Sequence, residues 1–239
     1  MPILEGQGVT KYFGGLAALT NVDFHVDQGE IVGLIGPNGA GKTTLFGLIS
    51  AAHVPKSGVI RFKGENIIGL KPYKICRQGL ARTFQSVKIF PNMPVISNVL
   101  LGAHFGTSQR VTSAQAAEEA ARLLEFVGLS EMAVIPAKNL TLANQKLLEV
   151  ARALATKPEV LLLDEIMAGL NSTEITQAME LVSRMRNQGI TIFMIEHVMK
   201  AIMSVCDRIM VLHHGKKIAE GTPQEIATSK TVVEVYLGE

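Results

Sequence analysis

The hydrophobic positions of this chain of 239 residues fall into short apolar runs that are separated by turns containing glycine. The runs at 31–35, 160–163 and 190–195 are uninterrupted and rich in branched side chains, as is typical of strands buried on both faces. A helical pattern at about 172–188 joins the last two runs. This strand–helix–strand order predicts a parallel sheet and therefore an α/β fold.

The remaining segments have other periods. Residues 3–30 alternate apolar with polar side chains and predict short, half-buried strands, and a turn is predicted at 56–58. A helix is predicted at 72–80, and a hairpin turn is predicted at 213–216. Residues 95–156 have a mostly helical pattern. We therefore expect a mainly helical insertion in an α/β core.

Composition and charge narrow the classes of function. The 23 basic and 21 acidic residues give a net charge of +2 without a basic block, so we expect no nucleic-acid partner. Cys76 and Cys206 form no C-x-x-C pair, so we expect neither a zinc site nor a disulfide framework, which fits a reducing compartment. The N-terminal residues do not resemble a signal peptide, and no apolar run of about 18 residues predicts a membrane span.

One glycine-rich stretch carries the clearest chemistry. Residues 36–44 have the sequence GPNGAGKTT, which fits the pattern G-x-x-x-x-G-K-[ST] between a predicted strand and a predicted helix. Such a loop turns main-chain amides and a helix N-terminus toward a polyphosphate. We expect Lys42 to reach the β- and γ-phosphates and the Thr43 hydroxyl to bind Mg²⁺. The predicted binding residues are Gly36, Asn38, Gly39, Ala40, Gly41, Lys42, Thr43 and Thr44.

Two carboxylates follow the apolar run at 160–163. In an open parallel sheet, ligands lie beyond the carboxyl ends of the strands, where the glycine loop is also expected. We predict that Asp164 holds Mg²⁺ through water and that Glu165 orients or activates the attacking water. An acidic loop without chemistry is the alternative for either residue taken alone.

Three further side chains are candidates for the same site. His197 follows the predicted strand at 190–195, where it could touch the γ-phosphate or serve only as a turn residue. Gln85 is a candidate contact for both Mg²⁺ and the attacking water. Phe13 could stack on an adenine ring, and Tyr12 is its rival for that role.

In this order the motifs resemble those of the ATP-binding subunits of ABC transporters over the whole chain, 1–239. The matching positions are Phe13 (aromatic loop), 36–44 (Walker A), Gln85 (Q-loop), 140–145 (signature), 160–165 (Walker B), 168–171 (D-loop) and His197 (switch histidine). The resemblance implies one ATPase domain. Its fold would be a P-loop NTPase (RecA-like) core with an antiparallel β subdomain and a helical subdomain inserted at about 90–156.

The resemblance also implies the ligands and their contacts. ATP and Mg²⁺ would be the ligands, with Glu165, His197 and Gln85 catalytic. Thr43, Gln85 and Asp164 would hold the metal.

Four segments narrow the resemblance to the G-type ATPase of high-affinity branched-chain amino acid importers. They are 11–16, 81–85, 168–171 and 235–238. Such an ATPase would power import of leucine, isoleucine or valine. It would work with a second ATPase subunit, transmembrane permease subunits and, indirectly, a periplasmic solute-binding protein. The chain would then lie in the cytoplasm, on the inner face of the cell membrane.

The signature departs from the family pattern. The family has LSGGQ or LSYGQ, whereas residues 140–144 of this chain are LTLAN. In the family, the N-terminus of this helix contacts the γ-phosphate held by a second subunit. Thr141 keeps a hydroxyl, but Ala143 places a methyl group where the family has glycine. Ile166 also replaces the proline that follows the two carboxylates. We expect retained ATP binding, and we hypothesise weak homodimer closure or pairing with a different ATPase subunit.

Three other functions stay open. The chain could be the ATPase of a lipid or polysaccharide export system. It could be a binding module that holds ATP but hydrolyses it weakly, which the altered signature favours. It could also be a P-loop kinase, although Glu165 and His197 indicate water as the phosphoryl acceptor.

Overall fold

The computed structural model describes residues 2–107 and 111–237, so that Gly238 of the last family-like segment lies outside the described residues. The strands are β1 (Pro2–Phe13), β2 (Leu16–Asp27), β3 (Ile31–Ile35), β4 (Ser57–Phe62), β5 (Glu65–Asn66), β6 (Leu80–Arg82), β7 (Val160–Asp164), β8 (Thr191–Ile195), β9 (Arg208–His213) and β10 (Lys216–Gly221). The helices are α1 (Lys42–Ile49), α2 (Pro72–Arg77), α3 (Val95–Phe105), α4 (Ser113–Val127), α5 (Leu142–Leu154), α6 (Ser172–Asn187), α7 (Met199–Val205), α8 (Pro223–Thr228) and α9 (Lys230–Leu237).

A six-stranded sheet forms the centre of the molecule, in the order β10-β9-β3-β8-β7-β6. β3 pairs in parallel with β8 and β9, and β7 pairs in parallel with β6 and β8. Every residue of β3, β7 and β8 is buried, as uninterrupted apolar runs predict. The predicted parallel sheet and the β9–β10 hairpin are therefore confirmed.

Alternate residues of the central strands face two different hydrophobic clusters. Leu161 and Ile192 pack with helices α3 to α7, whereas Leu162 and Phe193 pack with α1 and the antiparallel sheet. Since successive side chains of a strand point to opposite faces, the central sheet lies between these two layers.

The antiparallel sheet has the order β2-β1-β4-β5. The prediction of short strands in 3–30 was wrong, since β1 and β2 are 12 residues long and pair along most of their length. Register shifts in the pairing break the regular alternation, so the sequence pattern suggests shorter pieces than the structure contains. The turn predicted at 56–58 is likewise wrong, because Gly58 lies in β4 at φ +94°.

Helices occupy most of the segment from 95 to 156, where α3, α4 and α5 pack on one another. Asn98 is fully buried there and binds both backbone groups of Phe90, which fixes the entry to α3. The helix predicted at 72–80 is shorter, ending at Arg77, because Gly79 adopts φ +107° and leads into β6. Across the part of the chain that the structure describes, every helix is too short or too polar to cross a bilayer.

Candidate nucleotide site

The glycine loop connects β3 to α1 and is enclosed by backbone on both sides. A Cβ on Gly36 would stand 2.1 Å from the Leu212 carbonyl oxygen, and one on Gly41 would stand 2.6 Å from that of Ala18. The Gly215 amide in the β9–β10 turn also donates to the Ala40 carbonyl, at 3.0 Å. Only glycine fits at Gly36 and Gly41, because the side chain of a larger residue would collide with the main chain.

The N-terminus of α1 is left open by this loop. Helix α1 begins at Lys42 after Gly41, which is left-handed at φ +105° and has no side chain that could cap the helix. The first intrahelical bond of the loop runs from the Leu45 amide to the Gly41 carbonyl, at 2.9 Å. The earlier amides of the helix lack a side-chain cap, and with the helix dipole they favour a bound anion.

Lys42 folds back over its own loop. Its Nζ donates to the carbonyl oxygens of Gly36, at 2.7 Å, and Pro37, at 3.0 Å, and the residue is only 6% exposed. Burial lowers the pKa of the Lys42 amino group, and the nearby Glu165 and Asp164 carboxylates oppose that shift. The ammonium group is thus held at the loop by neutral acceptors, which phosphate oxygens could replace.

A cavity of about 450 Å³ opens over this loop. It is lined by Phe13, Leu16, Ala17, Ala18, Asn38, Gly39, Ala40, Gly41, Lys42, Thr43, Thr44, Gln85, Glu165 and His214. The Phe13 ring is partly exposed and packs edge-on against His53, with centroids 5.2 Å apart. Tyr12 is not among the lining residues, so the geometry favours Phe13 as the aromatic face.

Glu165 has a partner for each carboxylate oxygen. The Gln85 amide Nε2 donates to Oε2 at 2.9 Å, and His197 Nε2 lies 2.8 Å from Oε1. The structure therefore brings the three predicted catalytic residues together. They lie in different parts of the chain, shortly after the ends of β6, β7 and β8. His197 is not among the residues that line the cavity, but it contacts Glu165, which is.

Asp164 lies behind the cavity, with only 1% of its surface exposed. Its Oδ2 forms a 2.7 Å ion pair with Arg82, and its backbone amide donates to the Thr83 hydroxyl at 3.0 Å. Burial raises the pKa of the Asp164 carboxyl, and the Arg82 guanidinium opposes the rise.

The second oxygen of Asp164 is relevant to the predicted metal. Among the described residues, Oδ1 is buried and has no hydrogen-bond partner. Thr43 and Gln85 line the cavity and offer a hydroxyl and an amide oxygen. Together with a free carboxylate oxygen, this is the donor chemistry that Mg²⁺ prefers. The residues present therefore fit a magnesium ion.

The signature residues lie away from the glycine loop. Thr141 caps helix α5, its hydroxyl accepting from the Asn144 amide at 3.3 Å. Ala143 lines a separate crevice of about 110 Å³ beside Ile166 and Leu170. A single chain thus does not bring Thr141 and Ala143 to the cavity that holds Lys42.

Two charged residues that hold the site were not predicted from the sequence pattern. Lys146 on α5 donates to the carbonyls of Glu165 and Ala168, and the Glu196 Oε1 accepts from the Met167 amide at 2.8 Å. Two buried side chains, Lys146 and Glu196, thus hold the turn after β7, in which Glu165 has φ +53°. Proline biases the residue before it toward an extended backbone. Ile166, which stands where the family has proline, removes this restriction from Glu165.

The chain matches two protein-family models. The model described as ABC transporter matches residues 19–168, and the model described as branched-chain amino acid ATP-binding cassette transporter matches residues 216–239. Among known proteins, the high-affinity branched-chain amino acid transport ATP-binding proteins BraF of Pseudomonas aeruginosa and LivG of Escherichia coli (strain K12) are each 41% identical to it. Both alignments cover 100% of this chain and 98% of the relative.

Solved structures give the same picture. The ADP conformation of MJ1267, an ATP-binding cassette of an ABC transporter, superposes with a TM-score of 0.90 at 31% identity, covering 100% of both chains. A nucleotide-free ATP-binding cassette from an ABC transporter superposes with a TM-score of 0.88 at 30% identity, again covering 100% of both chains. The predicted P-loop fold class is thereby confirmed.

Glu196 should make the stability of the chain depend on pH. Burial raises its carboxyl pKa to about 7 from 4.5, despite the Met167 amide and the Lys146 charge. Because the folded state binds this proton more tightly, the contribution of Glu196 is fully present below pH 4.5 and is lost as pH rises through 7. The loss amounts to about 3 kcal/mol.

Urea unfolding of the wild type and Glu196→Gln between pH 4.5 and 8 measures this contribution, since glutamine keeps the acceptor for Met167. We expect the wild type to lose stability relative to the variant over this range. Glu180→Gln, at an exposed position of α6, is the control and should follow the wild type. Parallel curves for wild type and Glu196→Gln would contradict the shifted pKa.

Proposed function

The chain belongs to the ABC transporter family of ATP-binding proteins, and we propose that it binds and hydrolyses ATP as the ATPase subunit of an importer of branched-chain or related amino acids. One observation carries the enzymatic part. The cavity over the glycine loop has an uncapped helix N-terminus and Lys42 at its base, and Glu165 at its wall. This arrangement suits a triphosphate with water as the acceptor.

ATP binding would use the loop as it stands. The amides of residues 36–44 would bind the phosphates, and Lys42 would exchange the Gly36 and Pro37 carbonyls for β- and γ-phosphate oxygens. Little reorganisation is needed, because the loop is already held between neighbouring main-chain segments. Phe13 would stack on the adenine.

Hydrolysis would depend on how Glu165 is held. With Gln85 on one oxygen and His197 on the other, the carboxylate is oriented toward the cavity, where it can align a water molecule with the γ-phosphate. Mg²⁺, held by Thr43, Asp164 and Gln85, would neutralise charge that develops on the phosphate oxygens. Water rather than a second substrate is the acceptor, which separates this proposal from a kinase.

The solute is inferred from the relatives. BraF and LivG are named as branched-chain amino acid transport proteins, and their identity of 41% extends over the full chain. An export function for lipid or polysaccharide has no comparable support. The test is uptake of radiolabelled leucine, isoleucine and valine by cells in which the gene is deleted. Uptake should be lost and should return with the wild-type gene, whereas unchanged uptake would overturn the proposed solute.

The permease partner is proposed from one surface. A groove of about 540 Å³ opens beside β6 and is lined mainly by apolar and aromatic side chains, among them Tyr73, Phe84, Phe90 and Phe105. It could receive a helix of a permease subunit. We also propose a second ATPase subunit, which would bring its signature helix to the cavity, and an indirect link to a periplasmic solute-binding protein. Bound to the permease, the chain would lie at the inner face of the membrane. We propose no nucleic-acid partner.

Glu165→Gln should separate ATP binding from hydrolysis. Glutamine keeps the size of the side chain but loses the charge that aligns the water, so we expect turnover to fall by at least about 100-fold. ATP affinity should change by less than about 3-fold, because Lys42 and the loop amides are untouched. Phosphate release and binding of a fluorescent ATP analogue measure the two quantities, with Glu180→Gln as the control. A variant that kept wild-type turnover would exclude Glu165 from the reaction.

Ala143→Gly should test the weak-hydrolysis alternative. Removing the methyl group restores close approach of backbone to a phosphate on a second subunit, so we expect turnover to rise by about 5-fold or more in the active dimer. Ala117→Gly, on the exposed face of α4, controls for the cost of glycine in a helix, which is about 1 kcal/mol. The measurement is ATPase turnover of the chain alone and with the paired subunit. No gain in either setting would show that Ala143 does not limit closure.

A further inference from the structure

Arg82 connects the proposed metal site to the rest of the molecule. Its side chain is 9% exposed, and its Nη2 pairs with Asp164 Oδ2 at 2.7 Å. Its Nη1 donates to the Ser50 hydroxyl at 3.0 Å, just beyond the end of α1. The guanidinium also lies 5.1 Å from the centre of the Phe84 ring and 5.8 Å from that of Phe46. Four groups from three segments thus fix one side chain.

The same side chain lies on the wall of the groove proposed for the permease. Arg82 and Phe84 both line that groove, together with Ser50. Asp164 and Glu165, on the other side, are bound by Arg82 and Gln85 from this single short segment. The contacts therefore run from the groove, through Arg82, to the carboxylate predicted to hold Mg²⁺.

We propose that Arg82 is a positioning residue that orients Asp164 for Mg²⁺ and makes Mg²⁺ binding sensitive to occupancy of the groove. The groove part rests on the proposed function, since it requires a permease helix to dock there. Arg82 does not line the cavity over the glycine loop, so it would act through Asp164.

The orienting effect follows from the two oxygens of Asp164. Arg82 takes Oδ2, and Oδ1 stays without a partner among the described residues. A carboxylate tied at one oxygen presents the other in one direction, as residues that support metal ligands commonly do. Without the guanidinium, a buried carboxylate would be free to turn and would lose the ion pair that holds its Oδ2 in the described structure.

The sensitivity to the groove follows from Phe84. The guanidinium lies over the ring of Phe84, which is 41% exposed and therefore open to contact by a docked helix. A helix that moved this ring would also move the cation that rests on it. The guanidinium cannot shift without changing its bond to Asp164.

The first test uses the isolated chain and a fluorescent ATP analogue, titrated with Mg²⁺. Arg82→Gln should raise the Mg²⁺ concentration for half-saturation by about 10-fold, with affinity for the analogue in the absence of Mg²⁺ unchanged within about 2-fold. Arg82→Lys should give a smaller increase, because lysine keeps the charge but cannot bridge Asp164 and Ser50 as a fork. This variant also decides the question if Arg82→Gln does not fold.

Arg152→Gln is the matched control. Arg152 lines the same groove and stacks on Phe90 at 5.6 Å, but its carboxylate neighbour is Glu149. Its Mg²⁺ half-saturation should equal that of the wild type. A wild-type value in both Arg82 variants, or equal shifts in Arg82→Gln and Arg152→Gln, would overturn the orienting role.

The second test compares the isolated chain with the chain assembled on its permease. Mg²⁺ half-saturation should differ between the two states in the wild type, and Phe84→Ala should abolish that difference. Equal values in both states of the wild type would overturn the groove part. A chain that failed to bind the permease would overturn both the groove part and the docking function, while the isolated-chain titration would still decide the role of Arg82 at Asp164.

Discussion

Close packing of backbone against backbone shapes the glycine loop, and the rest of the site depends on it. Gly36 touches the end of β9, and Gly41 touches β2, at distances that exclude any side chain. The loop therefore cannot relax away from the cavity, and its amides stay directed at the place a phosphate would take. Preorganised dipoles of this kind act without a reorganisation cost when the ligand binds. The antiparallel sheet thus serves the nucleotide site directly, through Ala18 and Phe13.

One buried ion pair and two side-chain contacts hold the acidic side of the cavity. Asp164 is paired with Arg82, and Glu165 is held by Gln85 and His197, so neither carboxylate is free to turn. The turn that follows is held from α5 by Lys146, on the helix that begins with the signature. In the proposed dimer, that helix would serve the nucleotide of the second subunit. The Lys146 side chain, by donating to main-chain carbonyls of this turn, would then connect one nucleotide site to the other.

Local patterns explain which parts of this arrangement could be predicted. The glycine loop, the paired carboxylates and the buried strands are each encoded within about ten consecutive residues, so sequence alone predicts them. The contacts of Arg82 and Lys146 are not local, since Arg82 and Asp164 are 82 positions apart. The length of β1 was missed because bulges interrupt its alternation, and the choice of Phe13 over Tyr12 required the shape of the cavity.

ATP affinity of Lys42→Ala, measured on the isolated chain by calorimetry, tests whether the glycine loop holds the triphosphate. We expect a loss of about 100-fold, or about 3 kcal/mol, because the ammonium group would bind the phosphates in the folded loop. Lys200→Ala, at an exposed position of α7, should bind as the wild type does. If a folded Lys42→Ala variant bound ATP as tightly as the wild type, the glycine loop would not be the site that grips the triphosphate.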